Sequence, residues 1–207
     1  MTESDQLEGT QPWNKGRLIG QKRPLKARDV WTIRTRLEIA GKKRDLALFN
    51  LAIDSKLRAC DLVRLRVSDI QTAGQIRERA SVTQKKTSHP VQFELTEATR
   101  QSVKNWLDAR KSKSSDYLFP SRMDNALHLS TRQYARLVHT WIEPTLLNKT
   151  SYGTHSMRRT KVAQIYRNTG NLRAVQLLLG HTKLETTVRY LGIDVEDALT
   201  LAEQLEI

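Results

Sequence analysis

The sequence predicts a mostly helical α+β domain with a small antiparallel β-hairpin sheet. Apolar residues recur at helical spacing through most of the chain from residue 27 onward, and glycines interrupt this pattern. Strict apolar–polar alternation is clearest at residues 91–95, which indicates a strand. The chain has 207 residues, which is enough for one full-sized domain but short for two.

Charge and composition narrow the classes of partner. The formal net charge is +13, which favours a polyanion as partner. No stretch approaches the ~18 consecutive apolar residues of a membrane span. The acidic, polar start is unlike a secretory signal, and the single cysteine, Cys60, excludes an internal disulfide framework. We therefore expect a cytoplasmic protein without a membrane partner.

The basic charge is concentrated near the start of the chain. Residues 11–44 hold 11 Lys or Arg against 2 acidic residues, a local net charge of 11 − 2 = +9. Because residues 1–26 carry several Pro and Gly and no periodicity, they are predicted to be a flexible basic arm, and 27–207 to be the folded domain. The arm residues expected to contact DNA phosphates are Lys15, Arg17, Lys22, Arg23 and Lys26.

The first predicted elements are helices. One begins at Ala27 and ends at Gly41, a second begins near Arg44, and a third begins near Ala59. The pattern then changes to a hairpin within residues 76–95, with a polar turn over 85–90.

Helices resume after the hairpin. Thr96 is predicted to cap one helix, 117–120 to be an extended connector, and Ser130 or Thr131 to start another helix. Two helices are then expected to end at Gly170 and Gly180, and Thr182–Glu185 has the form of a capping box. A last amphipathic helix is predicted at about 194–206.

Six residues have side chains suited to phosphate chemistry. Arginine can bind two phosphate oxygens at once, histidine and lysine can transfer protons, and tyrosine can act as a covalent nucleophile. No cluster of acids accompanies them, so a two-metal site is disfavoured, and neither a metal nor a cofactor is expected. The six residues are Arg58, Lys86, His155, Arg158, His181 and Tyr190.

The segments around these residues resemble the catalytic domain of tyrosine recombinases, the phage integrase family, over roughly residues 27–207. Residues 44–70 are similar to its first arginine box, and Gln84-Lys85-Lys86-Thr87 to its lysine hairpin motif. Residues 153–160 resemble its His-x-x-Arg box, and 178–181 with 186–190 complete the set. Each box alone is a weak signal, whereas all of them in order at family-like spacing are a strong one.

Two features depart from the family pattern. Lys56 stands where the family usually has glycine, and because lysine tolerates a left-handed turn less well, we expect the local geometry to differ. The family's usual N-terminal core-binding domain is expected to be absent, as in single-domain recombinases that invert fimbrial promoters.

The resemblance implies a site-specific recombinase that breaks and rejoins DNA through a 3′-phosphotyrosyl intermediate. It implies that Tyr190 attacks the scissile phosphate, with His155 as the candidate base. It further implies that Arg58 and Arg158 hold the phosphate oxygens, that His181 donates a hydrogen bond to the phosphate, and that Lys86 protonates the departing 5′-oxygen.

Other roles are open for several of these residues. Lys85 is an alternative to Lys86 in the turn, His181 could merely cap a helix, and Tyr190 could be a core aromatic. Arg159 is expected to point away from His155 and Arg158 and to contact a backbone phosphate.

The function and assembly also have alternatives. Relaxation of DNA in the manner of a type IB topoisomerase and a non-catalytic DNA-binding regulator are the rival functions. The predicted partner is double-stranded DNA, with a monomer in solution and a homotetramer on paired DNA sites. The helix at about 194–206 could dock on a neighbouring protomer or pack back on its own domain.

Overall fold

The helical core is built around α2 (Lys43–Ser55) in the computed structural model, which describes residues 21–110, 115–123, 127–192 and 203. Every residue of α2 from Ala47 onward is buried. Three helices pack against it: α1 (Ala27–Ile39), α5 (Glu97–Ala109) and α7 (Thr154–Thr169). A helix surrounded in this way needs apolar residues on all its faces, which explains the nearly continuous apolar run in its sequence.

The first three predicted helices are confirmed. Helix α1 buries Val30, Ile33 and Leu37, the residues whose spacing predicted it, and α2 begins within one residue of the expected start. The third helix, α3 (Ala59–Leu62), is only four residues long.

A short segment between α3 and the predicted hairpin contains elements that the sequence did not reveal. Helix α4 (Val67–Ile70) leads into β1 (Gln71–Thr72), which pairs antiparallel with β2 (Gln75–Ile76). The two-residue turn between them, Ala73 and Gly74, has φ values of 48° and 79°. Strands of two residues are too short to show an alternating pattern, so periodicity could not have predicted them.

The predicted hairpin is confirmed, and its register places one face on the core. Strand β3 (Arg79–Thr83) pairs antiparallel with β4 (Pro90–Glu94), with Val82 opposite Val91 and Ala80 opposite Phe93. Because side chains alternate between faces, Ala80, Val91 and Phe93 are buried while Gln92 is exposed.

The remaining helices start and stop close to the expected residues. They are α6 (Thr131–Ile142), α7, α8 (Leu172–Leu179) and α9 (Leu184–Leu191), with a 3₁₀ turn at Lys149–Ser151. Ser130 caps α6 by accepting from Gln133 N at 3.1 Å. Gly170 and Gly180 end α7 and α8 in the left-handed conformation.

One predicted cap is wrong and another holds in position alone: Thr96 is the N-cap residue of α5, but its side chain donates to Asp54 and does not cap the helix. Helix α9 begins at Leu184, its N-cap is Lys183, and no side chain caps it. The carbonyl of Thr182 instead accepts a hydrogen bond from Gln176 Nε2 at 3.2 Å, which holds Thr182 outside the helix. The predicted helix at about 194–206 lies outside the described residues except for Glu203, which is helical, and Lys15 and Arg17 also lie outside them.

The described part of the chain has two apolar clusters of unequal size. The larger one joins α1, α2, α5 and α6 with the inward face of the β3–β4 hairpin. The smaller one consists of Val162, Val175 and Leu179, with Tyr190 and Leu191 packed against it. Among the helices described here, none is long and apolar enough to cross a membrane.

Candidate active site

Arg58 lies at the N-cap of α3, three residues after the end of α2. It is half-buried, and its Nη1 group donates to Oε1 of Gln84, which precedes the turn of the β3–β4 hairpin. The connection between α2 and α3 therefore brings the first arginine next to the hairpin.

Lys56 forms the turn that precedes Arg58. Its φ of 55° and ψ of 20° place it in the left-handed region, so it adopts the backbone that glycine favours, and the expected change of geometry is not found. The Lys56 side chain is fully buried, and its ammonium group donates to both oxygens of Glu94, at 2.7 and 2.9 Å. Burial lowers the pKa of Lys56, and Glu94 opposes this shift.

This ion pair is part of a network that joins three elements. Glu94 on β4 also accepts from Lys161 on α7 at 2.6 Å, and Lys161 donates to Asp54 on α2 at 2.8 Å. Asp54 accepts further bonds from Thr96 and Thr99. Burial alone would raise the pKa of Asp54, but the hydrogen bonds from Lys161, Thr99 and Thr96 outweigh it and hold that pKa below its ordinary value.

The hairpin turn presents the two candidate lysines. Lys85 and Lys86 are both exposed in the turn over residues 85–87, and neither side chain forms a hydrogen bond within the described residues. The main-chain N–H of Lys85 donates to Asp61 Oδ1 at 2.9 Å, which fixes the turn beside α3. The choice of Lys86 over Lys85 stays a prediction.

His155 and Arg158 lie one turn apart in the first half of α7, as predicted. His155 is exposed at the mouth of the site, whereas Arg158 is 2% exposed. Arg158 donates from Nη1 to the carbonyl of Lys56 at 2.6 Å and from Nη2 to the carbonyl of Leu179 at 2.8 Å. It thereby ties the end of α2 to the end of α8.

Partial burial and three nearby guanidinium groups lower the pKa of His155. The charges belong to Arg158, Arg159 and Arg58, and each disfavours a second positive charge nearby. His155 is therefore neutral at pH 7 and able to accept a proton.

Arg159 is oriented differently from the expectation. Instead of pointing away from the site, it is 8% exposed and its guanidinium carbon lies 4.6 Å from the centre of the Tyr190 ring. Its Nη1 donates to the carbonyl of Lys22 at 2.8 Å, and its Nη2 donates to Gln21. These bonds hold the Arg159 side chain against residues 21–22. The contact of Arg159 with a DNA phosphate stays a prediction.

His181 follows Gly180 at the end of α8. Its Nδ1 lies 3.0 Å from Thr187 Oγ1 of α9, and burial together with Arg158 and Arg58 lowers the pKa of His181 to about 4. The ring is therefore neutral at pH 7. If Nδ1 accepts from Thr187, Nε2 carries the proton and is the nitrogen that can donate to a ligand.

Tyr190 lies on α9, and its ring is close to Arg158 of α7 and to His181, which follows α8. Its ring centre is 5.5 Å from that of His181 and 5.8 Å from the guanidinium carbon of Arg158. The hydroxyl is buried and has no hydrogen-bond partner among the described residues. Burial raises the pKa of Tyr190, while the charges of Arg158 and Arg159 act in the opposite direction.

The structure thus brings five of the six predicted residues together, with Lys86 on the adjoining exposed turn. Sequence reasoning missed Gln84 and the network of Asp54, Glu94 and Lys161. Gln84 carried a usable signal: it continues the inward-facing positions 80 and 82 of the hairpin, where a polar residue needs a partner. Among the described residues, no group of three or more His, Cys, Asp or Glu could hold a metal ion.

Comparison with known proteins identifies the family of this chain. The model of the phage integrase family matches residues 21–196. The chain is 29% identical to the probable integrase/recombinase YoeC of Bacillus subtilis (strain 168) over 152 residues, which cover 73% of this chain and 79% of that protein. It also matches bacterial XerC and XerD tyrosine recombinases, of whose length it spans about half, 42–52%.

Solved structures share the fold. The XerA recombinase superposes with a TM-score of 0.72 at 20% identity, covering 90% of this chain and 66% of that one. The XerH site-specific recombinase bound to its difH substrate in a pre-cleavage complex has a TM-score of 0.69 at 18% identity, covering 88% and 55%. The predicted mostly helical fold and the predicted family are confirmed. The chain therefore belongs to the phage integrase family and carries the catalytic domain of a tyrosine recombinase.

Proposed function

We propose that this protein is a site-specific DNA recombinase that cleaves and rejoins strands through a covalent bond between Tyr190 and a 3′-phosphate. The observation that carries the proposal is a single site that groups two arginines and two histidines with one tyrosine. Arg158 and His181 lie within 6 Å of the Tyr190 ring, measured between group centres. Arg58 joins the same cluster through the carbonyl of Leu179, because Gln84 and Arg158 both donate to it.

The arginines bind the phosphate and stabilise its developing charge. Arginine has five N–H donors, of which Arg158 gives two to backbone carbonyls and Arg58 gives one to Gln84. The remaining donors are available to the non-bridging oxygens, whose negative charge grows in the transition state.

The proton leaves the tyrosine as its oxygen bonds to phosphorus. Burial raises the pKa of Tyr190, so attack requires a base, and neutral His155 is the candidate. Lys86 then donates a proton to the departing 5′-oxygen, and His181 donates a hydrogen bond from its free ring N–H. Because the phosphotyrosyl bond conserves the energy of the broken linkage, rejoining is the reverse transfer.

The hydroxyl of Tyr190 must leave its buried position to reach a phosphate. Helix α9 packs on the smaller apolar cluster, which has three fully buried members among the described residues, and we infer that a shift of this helix exposes the hydroxyl. We infer that the Tyr190 hydroxyl becomes exposed when the protein binds double-stranded DNA.

Removing the nucleophile tests the proposed reaction. Tyr190→Phe should abolish covalent attachment to a nicked suicide duplex while changing the Kd for the duplex by less than about threefold, because only one oxygen is lost. The adduct is measured on a denaturing gel. Tyr166→Phe, on α7, is the matched control and should form the adduct normally. An undiminished adduct from Tyr190→Phe would refute the proposal.

Basic residues before α1 are proposed to hold the DNA backbone. Arg23 and Lys26 are exposed. The ammonium group of Lys22, in contrast, donates a hydrogen bond to the carbonyl of Thr150. The logarithm of the DNA association constant falls linearly with the logarithm of the salt concentration. Removing one phosphate contact should make this slope less steep by about 0.9. Arg23→Gln and Lys26→Gln together should therefore lower it by nearly 2, as measured by fluorescence anisotropy.

The matched control for this pair is Lys104→Gln on α5, which removes an exposed charge outside the predicted arm. A salt slope that stays unchanged in the double variant would show that these two residues do not contact DNA. We further propose a tetramer on paired DNA sites, with the free protein a monomer, which sedimentation with and without the duplex would test.

A further inference from the structure

Gln84 lies where three segments of the candidate site meet. It directly precedes the turn that holds Lys86, and its side chain is 0% exposed. A buried carboxamide is costly unless both its oxygen and its NH₂ group are hydrogen-bonded. The partners that meet this requirement come from the segments that carry the proposed catalytic residues.

The oxygen end of the Gln84 amide faces two donors. Oε1 accepts from Arg58 Nη1 and from Thr87 Oγ1, the latter at 2.9 Å. Thr87 immediately follows Lys86, and the main-chain N–H of Ser88 donates to the Gln84 carbonyl at 2.9 Å. This end therefore connects the guanidinium of Arg58 to the lysine turn.

The nitrogen end faces the opposite segment. Nε2 donates to the carbonyl of Leu179 at 3.3 Å, and the same carbonyl accepts from Arg158 Nη2 at 2.8 Å. The close approach depends on Gly180, whose φ is +64°: a Cβ there would lie 2.5 Å from Val91 Cγ2 and 3.3 Å from Gln84 Nε2. This end therefore connects Arg58 to Arg158 and to the main chain two residues before His181.

The chemistry of the link selects a carboxamide. An arginine side chain only donates and a backbone carbonyl only accepts, so the group between them must accept at one end and donate at the other. Glutamate in place of Gln84 would accept from Arg58 but would set a second acceptor oxygen against the Leu179 carbonyl.

We propose that Gln84 is a positioning residue that holds the Arg58 guanidinium in register with Arg158 and with the Lys86 turn. This inference rests on the proposed function, since it assigns Gln84 a task in that reaction. Arg58 gives one N–H to Gln84, which fixes the plane of the guanidinium and directs its other donors before DNA binds. Gln84 touches no reacting atom and acts through Arg58.

The first test compares cleavage rates. Gln84→Met keeps a side chain of similar length but removes both hydrogen-bonding ends. It should lower the single-turnover rate of covalent adduct formation by about 10- to 100-fold, because misplacing a group by about 1 Å has an effect of this size. Gln92→Met is the matched control: Gln92 is exposed on the same hairpin, and its loss should leave the rate within about twofold.

A double-mutant cycle separates positioning from a general structural role. If Gln84 acts through Arg58, then Gln84→Met should change the rate by less than about threefold in an Arg58→Ala background. If Gln84→Met lowered the rate by the same factor in the wild-type and Arg58→Ala proteins, the proposal would be overturned. A Gln84→Met protein that cleaves at the wild-type rate would overturn it as well.

A measurement without DNA keeps the test independent of the reaction. In protein labelled with ¹⁵N-arginine, the held guanidinium should give a slowly exchanging Nη signal that Arg58→Ala removes. Gln84→Met should also remove it, while Gln84→Glu and Gln92→Met should retain it. Persistence of the signal in Gln84→Met would refute the proposal. A wild-type protein that forms no adduct would instead refute the proposed function and leave this result standing.

Discussion

The arginine-bearing half of the site and the tyrosine-bearing half are held by different interactions. Around Arg58 and Arg158, buried hydrogen bonds reach the ends of α2 and α8 and the hairpin, and an ionic network lies directly behind them. Around Tyr190, a small apolar cluster supports α9, and the hydroxyl has no hydrogen-bond partner among the described residues. The groups proposed to bind phosphate are thus held by buried hydrogen bonds, whereas the proposed nucleophile lies on a helix that a small apolar cluster supports and that we expect to move at lower cost.

Removing Asp54 should have the largest effect on stability, because it anchors the network behind the arginines. Its carboxylate is 2% exposed and accepts bonds from Lys161, Thr96 and Thr99. Asp54→Ala would leave Lys161 with Glu94 alone and would remove the buried acceptor of Thr96 and Thr99, and it should lower the free energy of unfolding by about 3–5 kcal/mol.

Urea unfolding at pH 7 measures this loss. Asp108→Ala on α5 is the matched control, since Asp108 is exposed and its removal should change the free energy by less than about 0.5 kcal/mol. Equal effects of the two substitutions would mean that the network around Asp54 does not stabilise the arginine-bearing half.

Leu179 offers the corresponding test of the tyrosine-bearing half. It is 0% exposed in the small cluster, and Leu179→Ala should cost about 2–3 kcal/mol, at the low end of the range for buried leucines because the surrounding cluster is small and can collapse.

Amide hydrogen exchange shows where this effect falls. Exchange in α9 should accelerate strongly in Leu179→Ala, while exchange in α2 should change less. Leu177→Ala on the same helix is the control, because Leu177 is 64% exposed. Uniform acceleration throughout the chain would contradict a separately mobile α9.

The pH dependence of stability should be the smallest effect, and it arises from the two histidines. The folded protein holds the pKa of His181 at about 4, against 6.5 when the residue is unperturbed. Between these values the unfolded chain binds more protons, so the free energy of unfolding should fall as the pH falls from 6.5 towards 4.

His181→Asn should therefore flatten this dependence, measured by urea unfolding at pH 7.0, 6.0 and 5.0. His155→Asn should flatten it as well, since the folded state also lowers the pKa of His155. A slope that neither substitution changes would mean that burial and the nearby arginines do not lower the pKa of these two rings in solution.

Local patterns determined most of the fold. The apolar spacing of α1 and the alternation of β4 each reflect one element burying one face, so they can be read without knowing the neighbours. The β1–β2 pair and the start of α9 could not be predicted in this way. The β1–β2 strands are too short to carry a pattern. The start of α9 depends on a hydrogen bond from Gln176, a residue outside that helix.

The sequence by itself determined the family, the charge and the set of candidate residues for phosphate chemistry, because these depend on residue type and order. Only the tertiary structure decided what each side chain contacts. It turned Arg159 onto the Tyr190 ring, buried Lys56 against Glu94, and joined Arg58 to Arg158 through Gln84. Each of these contacts joins residues at least 21 positions apart, and such pairings are set when the core closes, not by any local preference of the chain.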